Sequence, residues 1–331
     1  SSDLIAPHPP ADHRTTALLA GSVTALETLG VWPSCAGHAA PLRVIRIVDA
    51  TARLLRALEV RFDASEIGFD AFGYNIENRY LIAALDARAE ALPSLKRIDD
   101  EARAIAFDET GVTVSLKQGG AIRARLTVGA DGRRSLCRAA AGIETDGHRY
   151  PQTALTFNLH HRRPHRDIST EFHTESGPFT LVPLPGDRSS LVCVVDPHDA
   201  SRIGALEPSA LNDEIERRSH SILGKIEVEP GHGAFPLAIE TARTFAQNRV
   251  ALIGEAAHLM PPIGAQGLNL GLRDAATISE LVVEARRNSG DAGAKDLLAR
   301  YDAMRRTDVK SRALAVDLLN RSDRKSTRLN S

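Results

Sequence analysis

Cysteine is scarce. Only Cys35, Cys137 and Cys193 occur, odd in number and with no Cys-x-x-Cys pair. That excludes a disulfide framework and a thiolate zinc site, and it fits a reducing cytosol. Neither sign of charge is in excess: 41 basic and 42 acidic residues leave a formal net charge of -1. A nucleic-acid tether and an electrostatic membrane anchor are thereby excluded. Long apolar runs are also missing, since Arg, Asp or Glu interrupts every stretch that could span a bilayer. No signal peptide is read in the opening residues, no internal repeat or low-complexity tract is expected, and the opening Ser1-Ser2-Asp3 carries no initiator Met.

What is there is ordinary globular material: 331 residues, 43% hydrophobic and 25% charged, enough for one large or two interlocked domains. Leu18, Leu19, Val23, Leu26 and Leu29 recur at helical spacing within 12–30, with Thr15 or Thr16 to cap the start and Gly30 to stop it. A second helix is expected over 77–92, ended by Pro93. Val112–Leu116 turns through Gly119-Gly120 into Ile122–Val128 as a hairpin, and a short helix follows at 134–141. Between 152 and 240 alternating runs separated by Pro-Gly turns indicate a mostly antiparallel sheet, interrupted by a helix near 208–222. A buried strand at Arg249–Ile253 and two long helices, 267–287 and 293–319, close the chain. The plan is α/β and interleaved. Residues 1–150 start a first domain, with a small inserted β segment near 42–75. An antiparallel-sheet domain occupies 151–240, and residues 241–320 return to the first domain. Residues 321–331 lack apolar periodicity and read as a non-native tail.

The chemistry is concentrated in Val250 to Gly271, VALIGEAAHLMPPIGAQGLNLG. A buried strand ends at Gly254 and presents a carboxylate, Glu255, at the carboxyl edge of a sheet, where open α/β sheets place ligands. A loop with Pro261, Pro262, Gly264 and Gly267 then runs into a helix through Leu268 and Asn269. Such a loop directs free backbone N–H groups and the helix dipole at one spot, suited to a phosphate or a delocalised anion. A second stretch, Leu126 to Arg138, ends a strand in Asp131-Gly132 before Arg133 and Arg134. By itself an Asp-Gly pair there is a tight turn. His160, His161, His165 and His173 invite a metal reading, but neighbours in a strand face opposite sides, so no metal site is expected.

Together these stretches resemble the two FAD motifs of the p-hydroxybenzoate-hydroxylase superfamily: Gly-Asp-Ala-Ala-His followed by Pro, Gly, Gly and Asn, and the Asp-Gly fingerprint. Glu255 stands where the family usually has Asp. The resemblance implies that Gly254, Glu255, His258, Pro262, Gly264, Gly267, Leu268 and Asn269 surround the ribityl chain and isoalloxazine. It puts Asp131, Gly132 and Arg133 near the pyrophosphates of FAD and NAD(P)H. Asp12-His13-Arg14-Thr15 resembles the segment whose Arg meets the FAD pyrophosphate, although Arg14 alone would read as a solvated loop charge. Asn78-Arg79-Tyr80-Leu81 resembles the opening of a helix that flanks the flavin.

Tyr150–Leu155 and Gly177–Pro185 resemble the ubiquinone-biosynthesis hydroxylases, and the likeness runs over residues 5–322. It implies a Rossmann-like FAD domain and NAD(P)H-driven hydroxylation of an aromatic ring, with a prenylated, lipid-soluble phenol or quinone precursor as substrate. It further implies a cytoplasmic protein in peripheral contact with the inner face of the membrane and associated with other enzymes of that pathway. No Gly-x-Gly-x-x-Gly occurs before a helix. The expectation is an N-terminally truncated chain that lacks a βαβ unit of roughly 30 or more residues and retains FAD weakly. A soluble single-ring phenol hydroxylase and a truncated, non-catalytic scaffold remain open. The lone Trp32 excludes the Trp-x-Trp-x-Ile-Pro element of a flavin halogenase.

Overall fold

Leu155, Phe157, Leu159 and His161 alternate inward along the strand Thr145–His161, and that period-two pattern sets up the largest element of the molecule. It is a nine-stranded sheet. Edge to edge its strands are His258–Leu259, Gly233–Ala242, Thr145–His161, Arg188–Val195, Pro178–Leu184, Ile168–His173, Val44–Asp49 and Val60–Asp63, with Ile226–Val228 also paired to Thr145–His161. This computed structural model describes residues 2–7, 12, 14–52, 57–262 and 264–328, with side chains described up to Leu314.

One face of the sheet is covered by the helices Pro197–Gly204 and Pro208–Arg218, whose Ile203, Leu211 and Ile215 pack on Leu155, Phe157, Leu191 and Cys193. Each helix opens on a proline, which gives up no useful N–H in a first turn, and Asp196 caps the first by accepting from the N–H of His198 and Asp199. The other face, through Ala154 and Val194, joins the core of the α/β part. There Thr127–Gly129 runs parallel to Val250–Leu252, and Ser2–Ile5 runs parallel to Leu95–Ile98 in a separate ladder. Two helices, Gln266–Arg287 (the site helix) and Lys295–Arg328 (the C-terminal helix), bury Leu270, Ile278, Leu281, Leu298, Tyr301 and Val309 against Val250, Ala251 and Leu252. The α/β body, the sheet and the helices at the C-terminus are the architecture expected from the sequence. No helix among the described residues is long and apolar enough to cross a membrane.

Four local readings differ. Residues 15–19 form a strand, not the first turns of a helix, because they pair antiparallel with Gly73–Glu77; the helix is Ala20–Thr28 and carries no side-chain cap. Its end is as expected: Gly30 takes φ 71°, and the N–H of Val31 reaches back to the carbonyl of Leu26. The expected hairpin arm stops at Ala124, since Thr127–Gly129 leaves it to join Val250–Leu252. The helix expected near 208–222 ends at Arg218, and a further helix, Pro197–Gly204, precedes it. The C-terminal backbone stays helical to Arg328, past the last apolar repeat, and residues 329–331 lie outside the described ones. The segment 42–75 contributes Val44–Asp49 and Val60–Asp63 to the large sheet.

Candidate functional site

Val250, Ala251 and Leu252 are wholly buried, and the chain leaves this strand at Gly254, where φ is 57°. A Cβ built on Gly254 or on Gly267 would meet nothing within 4 Å, so the backbone is bare on that side. One on Gly271 would lie 3.2 Å from the Gly254 Cα, which is why the site helix can press against the strand end. Ala265 precedes the site helix in the left-handed region (φ 53°, ψ 36°), no side chain caps the helix, and its first turn holds no acidic residue. Its leading N–H groups therefore present an uncompensated positive end.

Left-handed backbone costs a residue with a Cβ on the order of 1 kcal/mol or more. Ala265→Gly is therefore expected to raise stability by about 0.5–1 kcal/mol, the gain being reduced by the freer unfolded chain. The urea midpoint reads this directly; an unchanged or lower midpoint would show that the loop holds alanine without strain.

Two buried side chains hold the loop. Asn269 accepts from the Leu19 N–H (2.9 Å) and the Ser22 hydroxyl (2.6 Å), and it donates to the carbonyls of Ala17 (2.8 Å) and Ala265 (2.6 Å). All its hydrogen-bonding positions are thus used inside the protein, so it acts by placing Ala265 against the strand Thr15–Leu19. Asp274 accepts from the Gly254 N–H at 2.9 Å, from His258 Nε2 at 2.7 Å and from Arg305 Nε at 2.7 Å. A carboxylate oxygen can only accept, so Nε2 of His258 carries the hydrogen. His258, like Asn269, is spent on fixing the loop.

Around the bare backbone sit the charged candidates. Glu255 pairs with Arg133 at 3.3 Å, both about half exposed (51% and 48%). An ion pair this wet contributes about 0–1 kcal/mol and is readily exchanged for another partner. Arg14 grips Asp12 through two hydrogen bonds (2.9 and 2.7 Å) and lies over the Phe235 ring at 5.6 Å. Hydrogen bonding to Asp12 raises the Arg14 pKa, with a further contribution from the charge of Glu255, which lies near enough to be felt. Burial opposes ionisation of Asp12, but the bonds from Arg14 and Asn78 outweigh it and hold the carboxyl down at about 2. Leu268, 42% exposed, adds an apolar surface at the first helical turn.

The Asp-Gly segment is drawn to the same place. Asp131 accepts from the Ser135 hydroxyl (2.6 Å) and the Cys137 N–H (3.0 Å), bracing the start of the helix Leu136–Ala140, and Gly132 turns with φ 72°. From that helix Arg138 donates to the carbonyls of Ala256 (2.8 Å) and Arg133 (2.6 Å), fastening the two motifs together. Burial first and the charge of Asp131 second push the Cys137 thiol up to about 12, which removes it from thiolate chemistry. Pro262 and Gly264 lie exposed on the loop. Arg79 is turned elsewhere: it pairs with the buried Glu77 at 2.9 Å and lies over Tyr80. Among the described residues it makes no hydrogen bond to the 254–269 segment. His13 and Ile263 lie outside the described residues.

The four sheet histidines go to separate partners: His161 to Ser189, His165 to the carbonyls of Leu184 and Gly186, His173 to Glu171 and His160 to Glu229. Among the described residues no group of three or more His, Cys, Asp or Glu could hold a metal ion.

Asp12, Asn78, Arg138, Asp274 and Arg305 were not singled out from the sequence. A signal existed for two of them. Asp274 shares the stripe Leu270, Thr277, Ile278, Leu281, and Arg305 shares Leu298, Tyr301, Val309, so each is a charge on the apolar face of its helix.

The chain is similar to several known proteins. A family model described as an FAD binding domain matches residues 7–315. The chain is 37% identical over 298 residues to the ubiquinone hydroxylase UbiL of Rhodospirillum rubrum, covering 90% of this chain and 68% of that protein. It is 32% identical over 300 residues to the 3-demethoxyubiquinol 3-hydroxylase of Escherichia coli, covering 90% and 75%. Among solved structures, PqsL of P. aeruginosa in complex with 2-aminobenzoylacetate superposes with a TM-score of 0.82 at 20% identity, over 97% of this chain and 89% of that one.

Proposed function

Because the chain belongs to the FAD-binding-domain family of flavin-dependent monooxygenases, we propose that it hydroxylates the ring of a prenylated phenol or quinone precursor in ubiquinone biosynthesis, with NAD(P)H as reductant. The observation that carries this is the bare, uncapped start of the site helix beside Glu255, Arg14 and Arg133. The donor set fits the cofactor. Free N–H groups at a helix N-terminus suit the anionic edge of a reduced isoalloxazine, a carboxylate suits ribityl hydroxyls, and two guanidiniums suit a pyrophosphate. Arg79 would join this set only by leaving Glu77.

When bound, reduced FAD would activate O2 and supply one oxygen atom to the ring. The chain's own part is electrostatic and steric. The helix N-terminus stabilises negative charge on the bound group, and Asn269 and Asp274 keep the loop backbone from relaxing away from it. Leu268 offers the apolar surface that an aromatic ring needs. The relatives' names support a quinone-type substrate, and a lipid-soluble substrate implies peripheral contact with a bilayer and with enzymes of the same pathway.

The test is a titration of the chain with FAD, followed by assay with NADH and NADPH. Saturable quenching of flavin fluorescence, and nicotinamide oxidation accelerated by a prenylated phenol, are the expected results. Acceleration by simple phenols alone would favour a single-ring substrate. A chain that quenches no flavin at any concentration would sink the reading.

A further inference from the structure

We propose that Arg305, on the C-terminal helix, is a positioning residue for the flavin loop, setting its backbone from behind without touching the bound group. The inference rests on the reading of that loop as the flavin site. Arg305 is 5% exposed, and its Nε donates to Asp274 Oδ1 at 2.7 Å. The other oxygen of Asp274 holds the Gly254 N–H and His258 Nε2, one residue on each side of the turn that presents Glu255. A second arm of Arg305, Nη1, donates to Asp308 at 2.9 Å; Asp308 also accepts from Arg312 at 2.9 Å, and Arg312 reaches Gln266, the first residue of the site helix, at 3.3 Å. One guanidinium is therefore linked to both flanks of the loop, at Gly254 and at Gln266. A fork of fixed geometry transmits position well: its Asp274 arm is dry and cannot be traded for water, and its Asp308 arm, only part-buried, extends the link toward Gln266.

Packing alone does not account for the residue. Val309, one turn further on, is wholly buried in the same core without any polar link to the loop. It supplies the control, since losing it loosens the same helix by volume only.

The experiment is amide hydrogen exchange over 253–268 in the flavin-free chain, comparing Arg305→Lys, Arg305→Gln and Val309→Ala, each with its Tm. Lysine keeps a cation opposite Asp274 but cannot also span to Asp308, so this variant stays folded if Arg305→Gln does not. Arg305→Lys is expected to speed exchange at the loop by about tenfold, and to weaken FAD binding by a similar factor. Val309→Ala is expected to lower Tm without singling out the loop. If Arg305→Lys leaves loop exchange at the wild-type rate, or if Val309→Ala speeds it as much, the proposal is overturned. The exchange measurement needs no flavin. A wild-type chain that binds no FAD would therefore overturn the flavin reading of the loop, while the exchange data would still decide whether Arg305 positions it.

Discussion

Asp274→Ala should lower the free energy of unfolding by about 3–5 kcal/mol, a large part of the stability of an ordinary domain. The carboxylate is wholly buried, and it receives hydrogen bonds from the part-buried Gly254 and the buried His258 and Arg305. Alanine would leave the Nε side of a buried guanidinium without its carboxylate, with only Asp308 still paired to Nη1, and an imidazole N–H and a backbone N–H without acceptors. Each orphaned donor adds a desolvation cost that the lost contacts alone would not predict. Urea melts of the purified variant give the number. A loss under about 1 kcal/mol would mean that Asp308, already bonded to Nη1, and solvent suffice for Arg305, and that the network stabilises far less than its burial implies.

The second large effect separates stability from binding. Gly267 lies in the first turn of the site helix, with open space where a Cβ would go and no acidic residue nearby in that turn. Gly267→Asp should therefore stabilise the fold by about 0.5 kcal/mol, through better helix propensity and a carboxylate at the positive end of the dipole. The same carboxylate would occupy the field intended for an anionic flavin edge and repel it. FAD affinity should drop by at least about 100-fold, since like charges brought together cost several kcal/mol. Paired melts and flavin titrations check both halves. If affinity holds while stability rises, the helix N-terminus is not where the flavin lies.

Much of the candidate site was legible because it is local. Gly254, Glu255, Gly264, Gly267 and Leu268 lie within fifteen residues, and their bareness or exposure follows from residue type and from a strand–loop–helix order that the sequence shows. Residues whose contacts are remote were misread or missed. Thr15–Leu19 carries helical spacing, but pairing with Gly73–Glu77 overrides it. Asn269 and His258 stood out by pattern, yet their hydrogen bonds run inward to Leu19, Ser22 and Asp274. Arg79 is a different case: it matched a motif, and in the structure it pairs with Glu77, only two positions before it.

By itself, the sequence determined the class of fold, the two motifs and the chemistry they suit, because periodicity, turn residues and charge type are written one position at a time. Only the tertiary structure decided which charges stand free and which are consumed. Arg133 meets Glu255 across 122 positions, Arg188 meets Glu77 across 111, and Arg305 meets Asp274 across 31. Whether a charged side chain is a ligand or a strut depends on burial and on the nearest counter-charge. Both are properties of how distant segments pack.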